Sequence, residues 1–159
     1  GSLLLIPLYV LLNGMGLLTT LIALIIAYPT FSVPFCTWMM KGFFDTIPKS
    51  LDEAASVDGC GKLRSFTTVI LPLTMPGLVA TGIFSFIAGW NEYMFAMIFT
   101  NSDELRTLPV AIGQMSKSYS VYWNELMAAS TISSIPLMVM FLFLQRYFIS
   151  NMTGGAVKG

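Results

Sequence analysis

Few residues of this 159-residue sequence could do chemistry, and the combinations that catalysis requires are missing. The sequence contains no histidine, and its two cysteines, Cys36 and Cys60, lack the spacing of metal ligands. Ser85 has no histidine to activate it as a nucleophile, and Glu92 has no second carboxylate beside it in its apolar stretch. The residues therefore predict neither a catalytic site nor a metal site, and they argue against an intramembrane enzyme such as a protease.

One short segment has part of a phosphate-binding pattern. A phosphate loop needs a glycine five positions before the Gly61-Lys62 pair and a hydroxyl residue after the lysine. Ser56 and Leu63 occupy those two positions. We therefore expect no nucleotide site in this chain.

The composition is that of a membrane protein. Hydrophobic residues make up 55% and charged residues 10% of the sequence, whereas soluble domains have about 25% charged residues. The formal net charge is zero, so no basic surface for nucleic acid is predicted. We expect a chain that lies within the lipid bilayer.

The order of apolar and polar segments predicts an all-α fold, a polytopic bundle of transmembrane helices forming a single domain over residues 1–159. We assign a partial span to 3–13, spans to 17–40, 73–100 and 123–149, a polar loop to 44–72, an extracytoplasmic connector to 101–122 and a tail to 150–159. The first segment covers only about 15 Å as a helix, against about 30 Å of hydrocarbon. The segment is therefore either re-entrant or the end of a span whose first half is absent, and we expect the second, an N-terminal truncation.

The polar loop, residues 44–72, has the strongest local signals. Ser50 and Glu53 have the spacing of a capping box, which predicts the start of a helix. Gly59 stands where a left-handed residue would end that helix, and a second helix can then run to Pro72. The loop is therefore predicted to be a helix–turn–helix. Its small alanine face has too little apolar area to stand alone and predicts a docking partner.

The polar loop resembles the EAA loop of permease subunits of ABC importers. The pattern consists of Glu53-Ala54-Ala55, three residues, Gly59, nine residues, Val69, one residue and Leu71-Pro72. Val69 replaces the isoleucine usual in the family, which is a conservative change. In that family the loop is cytoplasmic and docks on the ATPase as a coupling helix. The resemblance implies that the residues coupling to the ATPase are Glu53, Ala54, Ala55, Asp58, Gly59, Leu71 and Pro72.

The basic residues predict the orientation independently of this resemblance. Successive loops of a multi-span protein lie on opposite sides of the membrane. The side with the polar loop and the tail then has six basic residues, which are Lys41, Lys49, Lys62, Arg64, Arg146 and Lys158. The other side has two, Arg106 and Lys117. The side richer in lysine and arginine is normally cytoplasmic. We therefore expect a cytoplasmic loop and tail. The family resemblance implies, in addition, a bacterial or archaeal inner membrane.

Trp90-Asn91-Glu92-Tyr93 is a polar run inside an apolar stretch. A charged side chain at mid-span costs roughly 2.5–3.5 kcal/mol on insertion scales, so it normally faces protein or water. Two interpretations stay open: these residues contact a hydroxylated solute, or they hydrogen-bond other helices and brace the bundle. The run is similar to one in the sugar-uptake branch of ABC permeases, which favours the substrate pathway.

Two further segments resemble that branch. The stretch from Arg106 to Pro109 is similar to one that faces the binding protein, although a solvated loop explains it equally well. The tail is similar to a terminus that reaches the ATPase dimer, which implies contacts from Thr153, Gly155 and Lys158. From the residues alone, the tail is a flexible end.

Together these resemblances imply that the chain is the C-terminal part of a carbohydrate-uptake permease. The implied permease is of the maltose-transporter-like, binding-protein-dependent type. The implied partners are a cytoplasmic ABC ATPase dimer that binds the ATP, a second permease subunit or second copy, an extracytoplasmic solute-binding protein and membrane lipid. The solute stays open. The alternatives are a permease for glycerophosphate, polyamine or amino acid, or a membrane assembly subunit that does not transport.

Overall fold

The computed structural model describes residues 2–116 and 122–155, with side chains in 3–116 and 122–143. The described chain is built from helices joined by short turns. The α-helices are α1 (Leu5–Gly14), α2 (Leu21–Asp45), α3 (Lys49–Val57), α4 (Lys62–Ser65), α5 (Leu71–Trp90), α6 (Met94–Phe99), α7 (Leu108–Met115) and α8 (Trp123–Gly155). Ser2–Leu4 and Asp103–Leu105 are 3-10 turns, and Phe66–Ile70 is a π-helical turn joining α4 to α5.

Within the described residues, three helical segments are long and apolar enough to cross a membrane. They are Leu21–Asp45, Lys62–Trp90 and Trp123–Phe143. A helix satisfies its backbone hydrogen bonds internally, which a segment surrounded by lipid requires. The α1 helix, with 10 residues, is too short to cross by itself.

The chain divides into two compact units, and the first comprises Gly1–Val33 and Phe86–Leu142. Its buried core consists of Leu12, Ala23, Leu24, Ala27, Phe95, Ala96, Phe99 and Val110. The rings of Phe95 and Phe99 meet edge to face with centroids 5.5 Å apart. The N–H of Thr19 donates to the carbonyl of Phe99 over 2.8 Å, which ties the segment before α2 to the end of α6.

The second unit comprises Pro34–Ser85 and Phe143–Gly159, and it contains the polar loop. Here the C-terminal part of α2 packs against α5. Phe35 stacks on Phe84 with ring centroids 4.1 Å apart. The Cys36 thiol lies 3.0 Å from the Ser85 hydroxyl. Both cysteines of the chain are free thiols.

One close helix contact in the second unit depends on Gly77. A β-carbon at this position would lie 2.5 Å from Cγ of Phe43, whereas one at Gly82, on the same helix, would meet no described residue within 4 Å. Small residues allow membrane helices to approach each other closely. Gly77 therefore allows α2 and α5 to approach closely, whereas Gly82 makes no such contact with the described residues.

We expect Gly77→Ala to destabilise the protein by about 1–3 kcal/mol, because the added methyl overpacks the contact with Phe43. The thermal unfolding midpoint in detergent measures the effect. Gly82→Ala is the matched control, since it makes the same change on the same helix without a neighbour. Equal midpoints for the two variants would contradict the importance of this contact.

Candidate functional site

The first helix of the polar loop begins without the predicted capping box. Its N-cap is Pro48, with extended backbone (ψ 131°) and no side-chain hydrogen bond. The helix starts at Lys49, so Ser50 lies inside the first turn, where its hydroxyl is not in the N-cap position. The capping-box prediction was therefore wrong. The exposed first turn can leave its free N–H groups to water.

The turn after α3 has the geometry predicted for it. Gly59 has φ +78°, in the left-handed region. The N–H of Gly59 donates to the carbonyl of Ser56 over 3.1 Å, and the N–H of Cys60 donates to the carbonyl of Ala55 over 3.0 Å. These two bonds form a Schellman motif, which satisfies the last carbonyls of the helix. The prediction of a left-handed Gly59 is confirmed.

The chain then reverses into what we call the return helix, Lys62–Ile70, which continues into α5. Its second half is the π-helical turn, in which the N–H of Leu71 donates to the carbonyl of Phe66. Proline inside a helix clashes with the carbonyl four residues earlier, which for Pro72 is that of Thr68. The wide turn therefore lies where the helix must accommodate Pro72.

The residues predicted to couple to an ATPase do not all lie on the surface of the loop. Glu53, Ala54, Asp58, Gly59 and Pro72 are exposed, and Leu71 is half-buried. Ala55 is buried, with 7% of its surface exposed. Neighbouring residues on a helix point in directions about 100° apart, so Ala54 faces outward while Ala55 faces inward. The predicted alanine face is thus split, which corrects the expectation that both alanines meet a partner.

The inner side of the loop contains a contact between side chains that the spacing did not predict. The hydroxyl of Ser65, in the return helix, donates to Oδ1 of Asp52, in α3, over 2.7 Å. Ser65 is 1% exposed. The two residues are 13 positions apart, so no helical periodicity brings them together in the sequence. This contact depends on the fold of the loop.

The polar run interrupts the helix of the predicted span 73–100, so the apolar helix that is long enough to cross a membrane, Lys62–Trp90, ends at Trp90. The α5 helix ends at Trp90 and α6 begins at Met94. Oε1 of Glu92 accepts from the N–H of Phe95 over 2.9 Å, and Oε2 accepts from the N–H of Ala96 over 3.0 Å. A carboxylate at a helix N-terminus satisfies free donors and complements the helix dipole. Both oxygens of Glu92 are therefore engaged in starting α6.

The other three residues of the run are placed differently. The indole N–H of Trp90 donates to the carbonyl of Ser133, in α8, over 3.1 Å. The Tyr93 ring packs so closely on α7 that a β-carbon at Gly113 would lie 2.7 Å from it. Asn91 is exposed, and its amide nitrogen donates to Ile87 of its own helix. These contacts favour bracing for Trp90, Glu92 and Tyr93, and Asn91 is the exposed member of the run.

The stretch predicted as a connector contains regular structure. The α7 helix starts at Leu108, with Pro109 in its first turn, where the missing N–H of proline costs nothing. Before it, Arg106 forms an ion pair with Asp103. The guanidinium of Arg106 is thus engaged with its own loop, two residues before α7.

The predicted tail contacts lie at the edge of the described chain. The backbone of α8 is helical through Gly155, so Thr153 and Gly155 are on a helix rather than in an irregular end. Their side chains lie outside the described set, and Lys158 lies outside the described residues altogether. Their predicted ATPase contacts stay a prediction.

These features define a class of protein, the multi-pass helical membrane proteins that carry a helix–turn–helix between two spans. The sequence pattern of one family, described as "Binding-protein-dependent transport system inner membrane component", matches residues 2–154. This chain belongs to that family. Membership in a family of transport-system membrane components agrees with the prediction of a permease rather than an enzyme.

Individual relatives agree with this assignment. The chain is 41% identical to the trehalose/maltose transport system permease protein MalG of Thermococcus litoralis over 149 residues, covering 93% of this chain and 54% of that protein. It is 37% identical to the diacetylchitobiose uptake system permease protein DasC of Streptomyces coelicolor, covering 97% and 56%. The chain therefore spans about half the length of the curated relatives it matches.

The fold also matches a solved structure. A bacterial ABC transporter involved in the import of the acidic polysaccharide alginate has a chain that superposes with a TM-score of 0.74 at 24% identity. The match covers 90% of this chain and 55% of that one. The prediction of an all-α, polytopic helical bundle is confirmed.

Proposed function

We propose that this chain is part of the permease subunit of an ATP-driven importer for a sugar or a related solute. In this proposal it forms part of the translocation pathway and couples to a separate ATPase through the polar loop. Family membership supports the transport role. The names of the trehalose/maltose and diacetylchitobiose relatives support a carbohydrate solute.

The observation that carries the proposal is the geometry of the polar loop. Its first helix has an exposed outer face that includes Glu53 and Ala54. The left-handed Gly59 sets the angle between this helix and the return helix. The return helix continues into a membrane span without an intervening loop. A short rigid helix joined in this way can pass the movement of a docked partner to the span. No catalytic residue is needed in this chain.

The orientation follows from the distribution of basic residues, six on the side of the loop and tail against two on the other. We place the polar loop and the C-terminus in the cytoplasm, where an ABC ATPase dimer binds the loop, and where Thr153, Gly155 and Lys158 approach it. A solute-binding protein then approaches from the opposite side, and a second permease subunit, different or identical, completes the pore.

Within the pathway we assign two roles to the polar run of the second span. Trp90, Glu92 and Tyr93 hold α5, α6, α7 and α8 in position through the contacts described above. Asn91 is exposed and carries an amide that can hydrogen-bond a hydroxylated solute. The two interpretations that the sequence left open are thus divided among different residues of the run.

Reconstitution of the full-length subunit with its ATPase and binding protein in lipid vesicles tests the function. We expect one member of a panel of mono- and oligosaccharides to stimulate ATP hydrolysis several-fold, because substrate delivery drives closure of the transporter. Stimulation by an amino acid or a polyamine alone would favour the non-sugar alternative. ATPase binding without stimulation by any solute would favour an assembly subunit, and no ATPase binding would contradict the proposal.

A further inference from the structure

We infer that Asp52 and Ser65 form a positioning pair that fixes the first helix of the polar loop against the return helix. The inference rests on the proposed function, because it assigns these residues a part in coupling. Neither residue belongs to the EAA pattern. They are positioning residues, since they act through the orientation of α3 rather than by touching the ATPase or the solute.

The contact has the features of a constrained hydrogen bond. Its length is 2.7 Å, and its donor Ser65 is 1% exposed. A buried hydroxyl that loses its partner pays the cost of desolvation without compensation, so the native pairing is strongly preferred. Within the described residues 49–70, no other hydrogen bond between side chains joins the two helices of the loop.

The pair fixes the orientation of α3, which the turn at Gly59 alone does not fix. The Schellman motif at Gly59 fixes the end of α3, but α3 has only nine residues, of which Ala55 is buried. A helix with so little buried surface can pivot about its turn unless a second point is held. Asp52 is held at its first turn, at the opposite end from Gly59. Two separated attachments define the orientation of α3.

This arrangement gives the pair a role in transmission. The return helix contains Ser65 and continues into the span that ends at Trp90. A displacement of α3 by a docked ATPase therefore reaches the span through the bond between Asp52 and Ser65 as well as through the turn. Loss of the bond should leave the docking surface in place and leave only the turn to pass the movement of α3 to the span.

The test uses the full-length subunit in its complete transporter, with ATPase binding and transport per ATP hydrolysed measured separately. We expect Ser65→Ala and Asp52→Ala each to lower transport per ATP by about twofold to tenfold. This fold-change corresponds to the free energy that one hydrogen bond typically contributes. ATPase binding should stay within about twofold. The double variant should be no worse than either single variant, because both remove the same bond.

Two further variants make the test specific. Asp52→Asn keeps an acceptor oxygen and removes the charge, so it should restore most of the coupling. Ser56→Ala is the matched control: its hydroxyl donates to the backbone carbonyl of Asp52 within α3 and links no second helix. We expect it to behave as the native protein.

The possible results separate this inference from the proposed function. Normal transport per ATP in Ser65→Ala, or a loss in Asp52→Asn as large as in Asp52→Ala, would overturn the positioning pair and leave the importer intact. Loss of ATPase binding in Ser65→Ala would also overturn it, because the residue would then serve docking. Failure of the native subunit to bind any ATPase would overturn the proposed function itself.

Discussion

Replacing Gly59 with valine is expected to weaken ATPase binding by about tenfold or more while leaving membrane insertion normal. Gly59 has φ +78°, and an L-residue in the left-handed region costs roughly 1–2 kcal/mol, with β-branched residues the worst placed. A difference of 1.4 kcal/mol corresponds to a factor of ten in binding. The chain would avoid this strain by changing the angle of α3. Co-purification of the ATPase with the full-length subunit, at matched membrane levels, measures the effect.

Asparagine at the same position provides the control. Among the residues that the structure describes, an added β-carbon at Gly59 meets nothing within 4 Å, so the expected loss comes from backbone conformation and not from a steric clash. Asparagine adopts the left-handed conformation more readily than other side chains. Gly59→Asn should therefore bind the ATPase nearly as well as the native subunit. Equal binding by the valine and asparagine variants would show that the turn does not set the docking angle.

Replacing Glu92 with alanine is expected to give the largest loss of stability in the membrane part of the protein. The change removes the acceptors for the N–H groups of Phe95 and Ala96, which lie in the interrupted span. Each buried donor left without a partner costs about 1–3 kcal/mol, so the total is about 2–6 kcal/mol. The thermal unfolding midpoint of the full-length subunit in detergent measures this loss.

Two variants distinguish the capping of α6 from contact with the solute. Glu92→Gln keeps one acceptor oxygen, so its midpoint should fall between those of the native protein and Glu92→Ala. Asn91→Ala removes a local bond to Ile87 from an exposed side chain, so stability should hardly change. If Asn91 contacts the solute, this variant raises the KM for transport. If Glu92→Ala has native stability and a raised KM, Glu92 contacts the solute and does not serve mainly to cap α6. That result would contradict the roles assigned to Glu92 and Asn91.

The sequence predicted most of what depends on local composition. The three long apolar helices follow from the apolar runs, although their bounds differ from those of the predicted spans, and the left-handed Gly59 follows from the place of a glycine after a helical pattern. The fixed spacing from Glu53 to Pro72 located the polar loop. All of these signals lie within short windows of sequence, in which neighbouring residues determine the local structure without contacts from distant parts of the chain.

What the sequence missed depends on contacts or on competition between local signals. Ser50 and Glu53 have the correct spacing for a capping box, but the N-cap is Pro48, two residues before Ser50, so the helix starts at Lys49 and Ser50 does not cap it. The bond between Asp52 and Ser65 appears only when the loop folds. The break after Trp90 had one local sign, a glutamate at mid-span, which was interpreted as a polar site and not as the cap of a new helix.

The turn at Gly59 is closed by main-chain atoms, and its two hydrogen bonds use no side chain as donor or acceptor. The shape of the loop is therefore largely independent of which side chains stand on the outer face of α3. Residues such as Glu53, Ala54 and Val57 can be exchanged for others without refolding the element that presents them. The binding specificity of the loop can therefore change through substitution of a few exposed residues of α3. Such a subunit would bind a different ATPase while the backbone of the loop stays the same.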